Sequence, residues 1–110
     1  MVHVIDAIKT RRSGRAHSSR RVPLRGLRQV LEAAGWAPSA HNAQPWRFIV
    51  LTGEAKKQEL AKAMANAWMA DLAKQGVLPQ VRENLCKMSG ERFTRAPVLI
   101  IACVTMLEKL

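Results

Sequence analysis

Residues 37–48 read Ala-Pro-Ser-Ala-His-Asn-Ala-Gln-Pro-Trp-Arg-Phe and run straight into Ile49, Val50 and Leu51. No other stretch constrains the fold as much. Pro38 and Pro45 each fix φ near about −65° and bias the residues before them, Ala37 and Gln44, towards extended conformations. Less conformational entropy is then lost in holding one shape. Ser39, Asn42 and Gln44 lie between the two prolines, so the pattern predicts an ordered loop presenting polar side chains beside a core. A plainer reading stands beside it: these are ordinary connector residues, and Trp46, Arg47 and Phe48 simply open a buried strand.

The flanking periodicity supplies the elements. Val2, Val4, Ile5 and Ile8 give one apolar side to a short opening helix, with Asp6 early and Lys9, Arg11 and Arg12 at its end, signs that suit a helix dipole. Ser13 and Gly14 are expected to break it. Residues 18–21 form a polar connector. A second helix over residues 23–34 carries Leu24, Leu27, Val30, Leu31 and Ala34 as one buried stripe, leaves Arg25, Arg28, Gln29 and Glu32 in water, and stops at Gly35. Trp36 is read as packing at the junction with the loop.

Residues 46–51 are apolar at nearly every position, which predicts a first strand buried on both faces, with helices above and below the sheet. Thr52 fits an N-cap and Glu54 the first turn of a third helix over residues 54–74. There Leu60, Met64, Trp68 and Leu72 fall four apart beside Ala61, Ala65 and Ala67, a stripe read as core or subunit packing. Gly76 and Pro79 close the segment. Residues 80–92 predict a more polar fourth helix whose apolar positions are Val81, Leu85 and Met88. Residues 97–105 predict a second buried strand through Val98, Leu99, Ile100, Ile101 and Val104.

Lys and Arg total 18 against 8 acids, and residues 1–28 hold eight of those bases with a single acid, Asp6. Three readings compete: a nucleic-acid-binding arm, a cleavable targeting segment and a pocket for an anionic cofactor. Residues 1–21 have the Arg- and Ser-rich, acid-poor composition of a transit peptide, but they run into the basic cluster at residues 11–15, which cleavage would remove. No nucleic-acid-binding motif accompanies the charge, and Tyr is absent. Cys86 and Cys103 lack C-x-x-C spacing and read as small buried or half-buried residues. With no secretory leader and no apolar run near ~20 residues, a soluble, reducing, cytoplasmic setting is expected. The sequence offers no metal-ligand cluster, Gly-rich phosphate loop or Ser-His-Asp set, and His41 reads as a solvent-facing side chain.

Read together, Arg11-Arg12-Ser13-Gly14-Arg15 and the residue 37–48 loop resemble the flavin-binding signature of the FMN-dependent nitroreductase family. In that family an Arg-rich segment after the first helix is followed by an A-P-S-x-x-N-x-Q-P-W-x-F loop. The loop is also similar to the reductase domain fused to the deazaflavin-cofactor γ-glutamyl ligase. The resemblance implies an α+β, nitroreductase-like fold with a mixed sheet flanked by helices, of which residues 1–110 form the N-terminal part of a single domain. It also implies FMN as cofactor, NAD(P)H as reductant, and a homodimer with the flavin site at the subunit interface.

On that match Arg11, Arg12 and Ser13 face the flavin phosphate and Arg15 lies beside the pyrimidine edge of the ring. Pro38, Ser39 and Asn42 reach the flavin bound mainly by the other subunit, and Gln44 holds the loop. Arginine suits phosphate because its planar fork donates two hydrogen bonds while staying charged. A cation about 4 Å from a reduced, anionic ring gains roughly 4 kcal/mol at an effective dielectric near 20, before desolvation. The sequence departs from the family pattern at Gly14, usually bulkier, and at Ala16-His17, where an aromatic commonly follows the basic residue. The redox chemistry would belong to the cofactor.

Two functions follow. The first is an FMN-dependent NAD(P)H oxidoreductase passing electrons to nitro, quinone or related conjugated acceptors. The alternative is a truncated, non-catalytic remnant acting as a dimerisation or binding module.

Overall fold

In the computed structural model, which describes residues 3–105, the two β-prone apolar runs pair with each other across the helices that separate them in sequence. Strand β1 (Trp46–Leu51) lies antiparallel to β2 (Leu99–Val104), in register from Trp46 opposite Val104 to Leu51 opposite Leu99. Between them in the chain come α3 (Glu54–Lys74) and α4 (Pro79–Arg95), which pack extensively on one another. Helices α1 (Val4–Thr10) and α2 (Leu24–Gly35) precede the loop. Helices with a small antiparallel sheet place the chain in the α+β class.

Helix α3 has the bounds its periodicity predicts, and its end shows why. Gly76 takes φ +80°, its N–H bonds Ala73 C=O at 3.1 Å, and the Val77 N–H bonds Leu72 C=O at 3.1 Å. These are the two bonds of a Schellman turn, which needs a left-handed residue after the helix. At the other end the N-cap is Gly53, without a side-chain cap bond, rather than Thr52. Thr52 stands one position too early for its hydroxyl to serve the first-turn N–H groups.

Helix α4 corrects a second expectation. Val81, Leu85 and Met88 are exposed, whereas Arg82, Cys86, Ser89, Gly90 and Phe93 turn inward. The inner face is rotated by one residue, about 100°, from the apolar stripe. Polar anchors at both ends hold that rotation. The Arg82 guanidinium donates to Val77 C=O at 2.9 Å. Buried Lys57 of α3 donates through Nζ to Ala96 C=O at 2.8 Å and Thr94 C=O at 3.4 Å, and lies 3.3 Å from the Glu54 carboxylate. A cation there satisfies carbonyls that the end of α4 leaves unpaired.

Elsewhere the expected burial is incomplete. Neither strand holds a buried residue; half-buried and exposed positions alternate along β2 and along β1 as far as Val50, and half-buried Phe48 stands opposite exposed Ala102. Among the described residues the strands contact each other far more than they contact any helix, so both faces are not covered as the apolar runs predicted. In α2 only Leu27 is buried, with Leu24 63% and Val30 58% exposed. Trp36, expected to pack, is 83% exposed. Helix α1 ends at Thr10, so Arg11 and Arg12 lie beyond it and the break precedes Ser13; Val2 falls outside the described residues.

The accessible surface is 9642 Å² for a 12.3 kDa chain, against about 6,100 Å² for a compact monomer of that mass. The radius of gyration is 17.5 Å, where about 13 Å is usual for this length. Large apolar faces therefore stay open to solvent, notably Val4, Ile5 and Ile8 on α1 and Val30 on α2.

Candidate functional site

The two segments singled out in the sequence adopt opposite kinds of backbone. Residues 11–20 have no regular structure and are exposed throughout. Arg11 caps the end of α1 with an extended backbone, φ −58° and ψ 137°, and its guanidinium donates to Ser13 Oγ at 3.1 Å. Arg12 turns back, donating to the Lys9 and Arg11 carbonyls at 3.0 and 2.9 Å. The helix end therefore occupies part of Arg12, while Arg11 and Ser13 form an exposed donor pair. A Cβ on Gly14 would meet nothing within 4 Å, so close approach of another group does not require glycine there.

The residue 37–48 loop, by contrast, is tied to itself. Ser39 C=O accepts the Asn42 N–H at 3.1 Å, and Ser39 Oγ accepts the Gln44 N–H at 3.0 Å. The Gln44 amide donates to Asn42 Oδ1 at 3.3 Å. His41, Asn42 and Gln44 have φ of 54°, 51° and 48°, left-handed positions interrupted by right-handed Ala43; His and Asn reach that region more readily than most side chains, Gln less so. Gln44 is thus not extended, as its place before Pro45 predicted; the bond from its N–H to Ser39 Oγ curls the backbone inward. The loop is pinned to the sheet where the Thr105 N–H donates to Pro45 C=O at 2.7 Å. Pro38, His41 and Asn42 are exposed and Ser39 half-buried.

Within one chain the two segments are not joined. Among the described residues no side-chain hydrogen bond links residues 11–15 to residues 38–44. Arg15 instead lines a cleft of about 330 Å³ with Gly14 and His17 on one wall, Ser89, Arg92 and Phe93 of α4 on the other, and Val98, Leu99 and Ile100 beneath. Pro38, Ser39 and Asn42 take no part in it. The α4 residues escaped the sequence reading, which assigned the inner face to Met88 and Leu85. Their spacing did carry a signal, since positions 89, 92 and 93 share one helical face.

A second cleft, of about 260 Å³, separates α3 from α4 and is lined by Met64, Trp68, Cys86 and Phe93. Cys86 is buried there, and its thiol lies 3.7 Å from Ala65 C=O, which fits the small, buried role read from its spacing. No group of metal-ligating side chains occurs among the described residues, and no described helix is long and apolar enough to cross a membrane.

Comparison with known proteins bears on the family of the chain. The Nitroreductase family model matches residues 8–109. The chain is 33% identical to iodotyrosine deiodinase 1 of Sus scrofa over 87% of its own length and 34% of that protein. It is 37% identical to a nitrobenzene nitroreductase of Ectopseudomonas oleovorans over 68% of its length and 32% of that protein. The iodotyrosine dehalogenase 1 homolog of Caenorhabditis elegans is 41% identical over 89% of this chain and 31% of its own. The chain thus spans about a third of the length of the curated relatives it matches.

Proposed function

This chain belongs to the nitroreductase family, and from that membership we propose that it is the N-terminal part of an FMN-dependent NAD(P)H oxidoreductase that reduces nitro, quinone or related conjugated acceptors. The observation that carries the reading is the family match over residues 8–109, which spans both the exposed basic segment at residues 11–15 and the self-braced polar loop at residues 38–44. Arg11, Arg12 and Ser13 would hold the flavin phosphate and Arg15 the pyrimidine edge. Pro38, Ser39 and Asn42 would approach the ring from the second subunit.

The side chains suit such a ligand. Arg11 uses one of its five N–H donors on Ser13, and Arg15 makes no ion pair among the described residues. Bound FMN would supply the acceptance and release of electrons. The protein's share is to fix the phosphate, orient the ring through the Ser39 and Asn42 loop, and stabilise the reduced ring by the charge of Arg15.

A homodimer with the flavin site at the subunit interface, which the resemblance implies, is part of the proposal. The expected setting is cytoplasmic. A second acceptor class, an iodinated phenol, is favoured by the relatives named iodotyrosine deiodinase, which cover most of this chain.

Quenching of FMN fluorescence on titration with purified protein, followed by anaerobic bleaching with NADPH, tests the reading. Acceptor turnover with nitrobenzene, a benzoquinone and an iodophenol then ranks the substrates, with iodide release reporting the last. A folded dimer without flavin affinity refutes it and leaves a binding module.

A further inference from the structure

We infer that the outward face of α2 docks on an anionic lipid bilayer, held there by Arg20, Arg21, Arg25 and Arg28 and anchored at headgroup depth by Trp36. None of these five residues belongs to the proposed flavin site, so the inference goes beyond that reading and stands without it.

Charge singles out the face. Residues 11–28 hold seven arginines and no acid, and setting aside Arg11, Arg12 and Arg15 leaves four. All four are exposed, and none has an ion-pair partner among the described residues. Other arginines of the chain are occupied: Arg12, Arg47 and Arg82 donate to main-chain carbonyls and Arg95 pairs with Glu91. Geometry then gathers the group. Leu27 is the one buried residue of α2, and at about 100° per residue Arg25, Arg28, Gln29 and Glu32 lie on the opposite side. The right-handed backbone of Trp36, φ −86° and ψ 0°, continues the winding, so position 36 falls on that same face. Arg20 and Arg21 stand in the connector leading into the helix.

Trp36 is the feature that charge alone leaves unexplained. At 83% exposed it is the most exposed large apolar side chain among the described residues, and it shares a face with charges instead of with the core. A bilayer surface suits both groups: the headgroup layer takes an amphipathic indole, and anionic headgroups offer acceptors to the guanidinium forks. It is also flat, so a convex helix face can meet it along its length. A single strand of nucleic acid is instead tracked by a groove with successive aromatic platforms, and α2 offers one ring. Four arginines against one carboxylate, Glu32, set the sign of the surface.

Partitioning of the full chain onto vesicles, at fixed ionic strength, tests the assignment with phosphatidylcholine alone and with phosphatidylcholine and phosphatidylserine in equal parts. Co-sedimentation reads the bound fraction and tryptophan emission reads the setting of the ring. The mixed vesicles are expected to bind at least about tenfold more tightly and to shift the emission to the blue. Each arginine contributes about fivefold, so Arg25→Gln with Arg28→Gln should weaken binding about 25-fold. Trp36→Ala should weaken it about five- to tenfold and remove the blue shift, since Trp46 and Trp68 are far less exposed. Lys62→Gln with Lys74→Gln takes the same charge from exposed positions on α3 and should leave most of the binding. Melting should be unchanged in all three, because every altered side chain is exposed. Equal loss in the two double variants would reduce the effect to net charge and overturn the proposal. So would a lack of preference for the mixed vesicles, or binding that leaves the emission unmoved. A dimer that shields Trp36 from acrylamide before vesicles are added would give the face to a second copy. A single-stranded oligonucleotide that quenches Trp36 and strips the chain from vesicles would give it to nucleic acid. Either result also overturns the assignment.

Discussion

Replacing Lys57 with Met removes an ammonium while keeping a side chain of similar reach, which isolates the clamp between α3 and the end of α4. The Lys57 side chain is 6% exposed and that of its acidic neighbour Glu54 is 60% exposed. Its Nζ bonds Ala96 C=O at 2.8 Å and, more weakly, Thr94 C=O at 3.4 Å. A hydrogen bond from a charged donor contributes about 1.5–3 kcal/mol, and leaving a buried carbonyl unpaired costs a similar amount. The short bond therefore dominates, the longer one adds a fraction, and the half-solvated Glu54 pair adds under about 0.5 kcal/mol.

The Met stem offsets part of the loss by apolar packing, so K57M is expected to lose about 2–3 kcal/mol, or roughly 10–20 °C in Tm for a domain of this size. Thermal unfolding followed by far-UV circular dichroism measures it, with Glu54→Gln as control at a shift of about 3 °C or less. K57M melting beside the wild type, or E54Q falling as far as K57M, would refute the carbonyl-clamp argument.

The remaining expectations use other parts of the chain. Ser39→Ala removes the acceptor of the Gln44 N–H; stability should fall by about 1 kcal/mol, while FMN affinity, read by fluorescence quenching, should fall more than that loss predicts. Arg11→Gln with Arg15→Gln should raise the FMN Kd by at least about tenfold without moving Tm, since both residues are exposed. Gly76→Ala forces a Cβ into φ +80° and should cost about 1–2 kcal/mol in denaturant unfolding. Gly90→Ala, inside α4 with nothing within 4 Å of the new Cβ, should instead stabilise by about 0.5–1 kcal/mol.

Local chemistry fixed the parts of this protein that depend on local chemistry. The α3 bounds at Glu54 and Lys74, strand β1 from Trp46 to Leu51 and the polar loop before it were legible because periodicity, a glycine stop and paired prolines act over a few residues. The family signature was legible for the same reason. Which faces are buried was not. In α4 the apolar stripe of Val81, Leu85 and Met88 faces water, because Arg82 and Lys57 grip the two ends and set the rotation, and neither bond has a periodic signature. The open faces of α1 and α2 make the same point, since burial is a property of the surface that arrives opposite. Tertiary structure alone brought Arg92 and Phe93 of α4 across from Arg15, more than seventy residues earlier, because such proximity is set by how helices and strands pack and not by the order of residues along the chain.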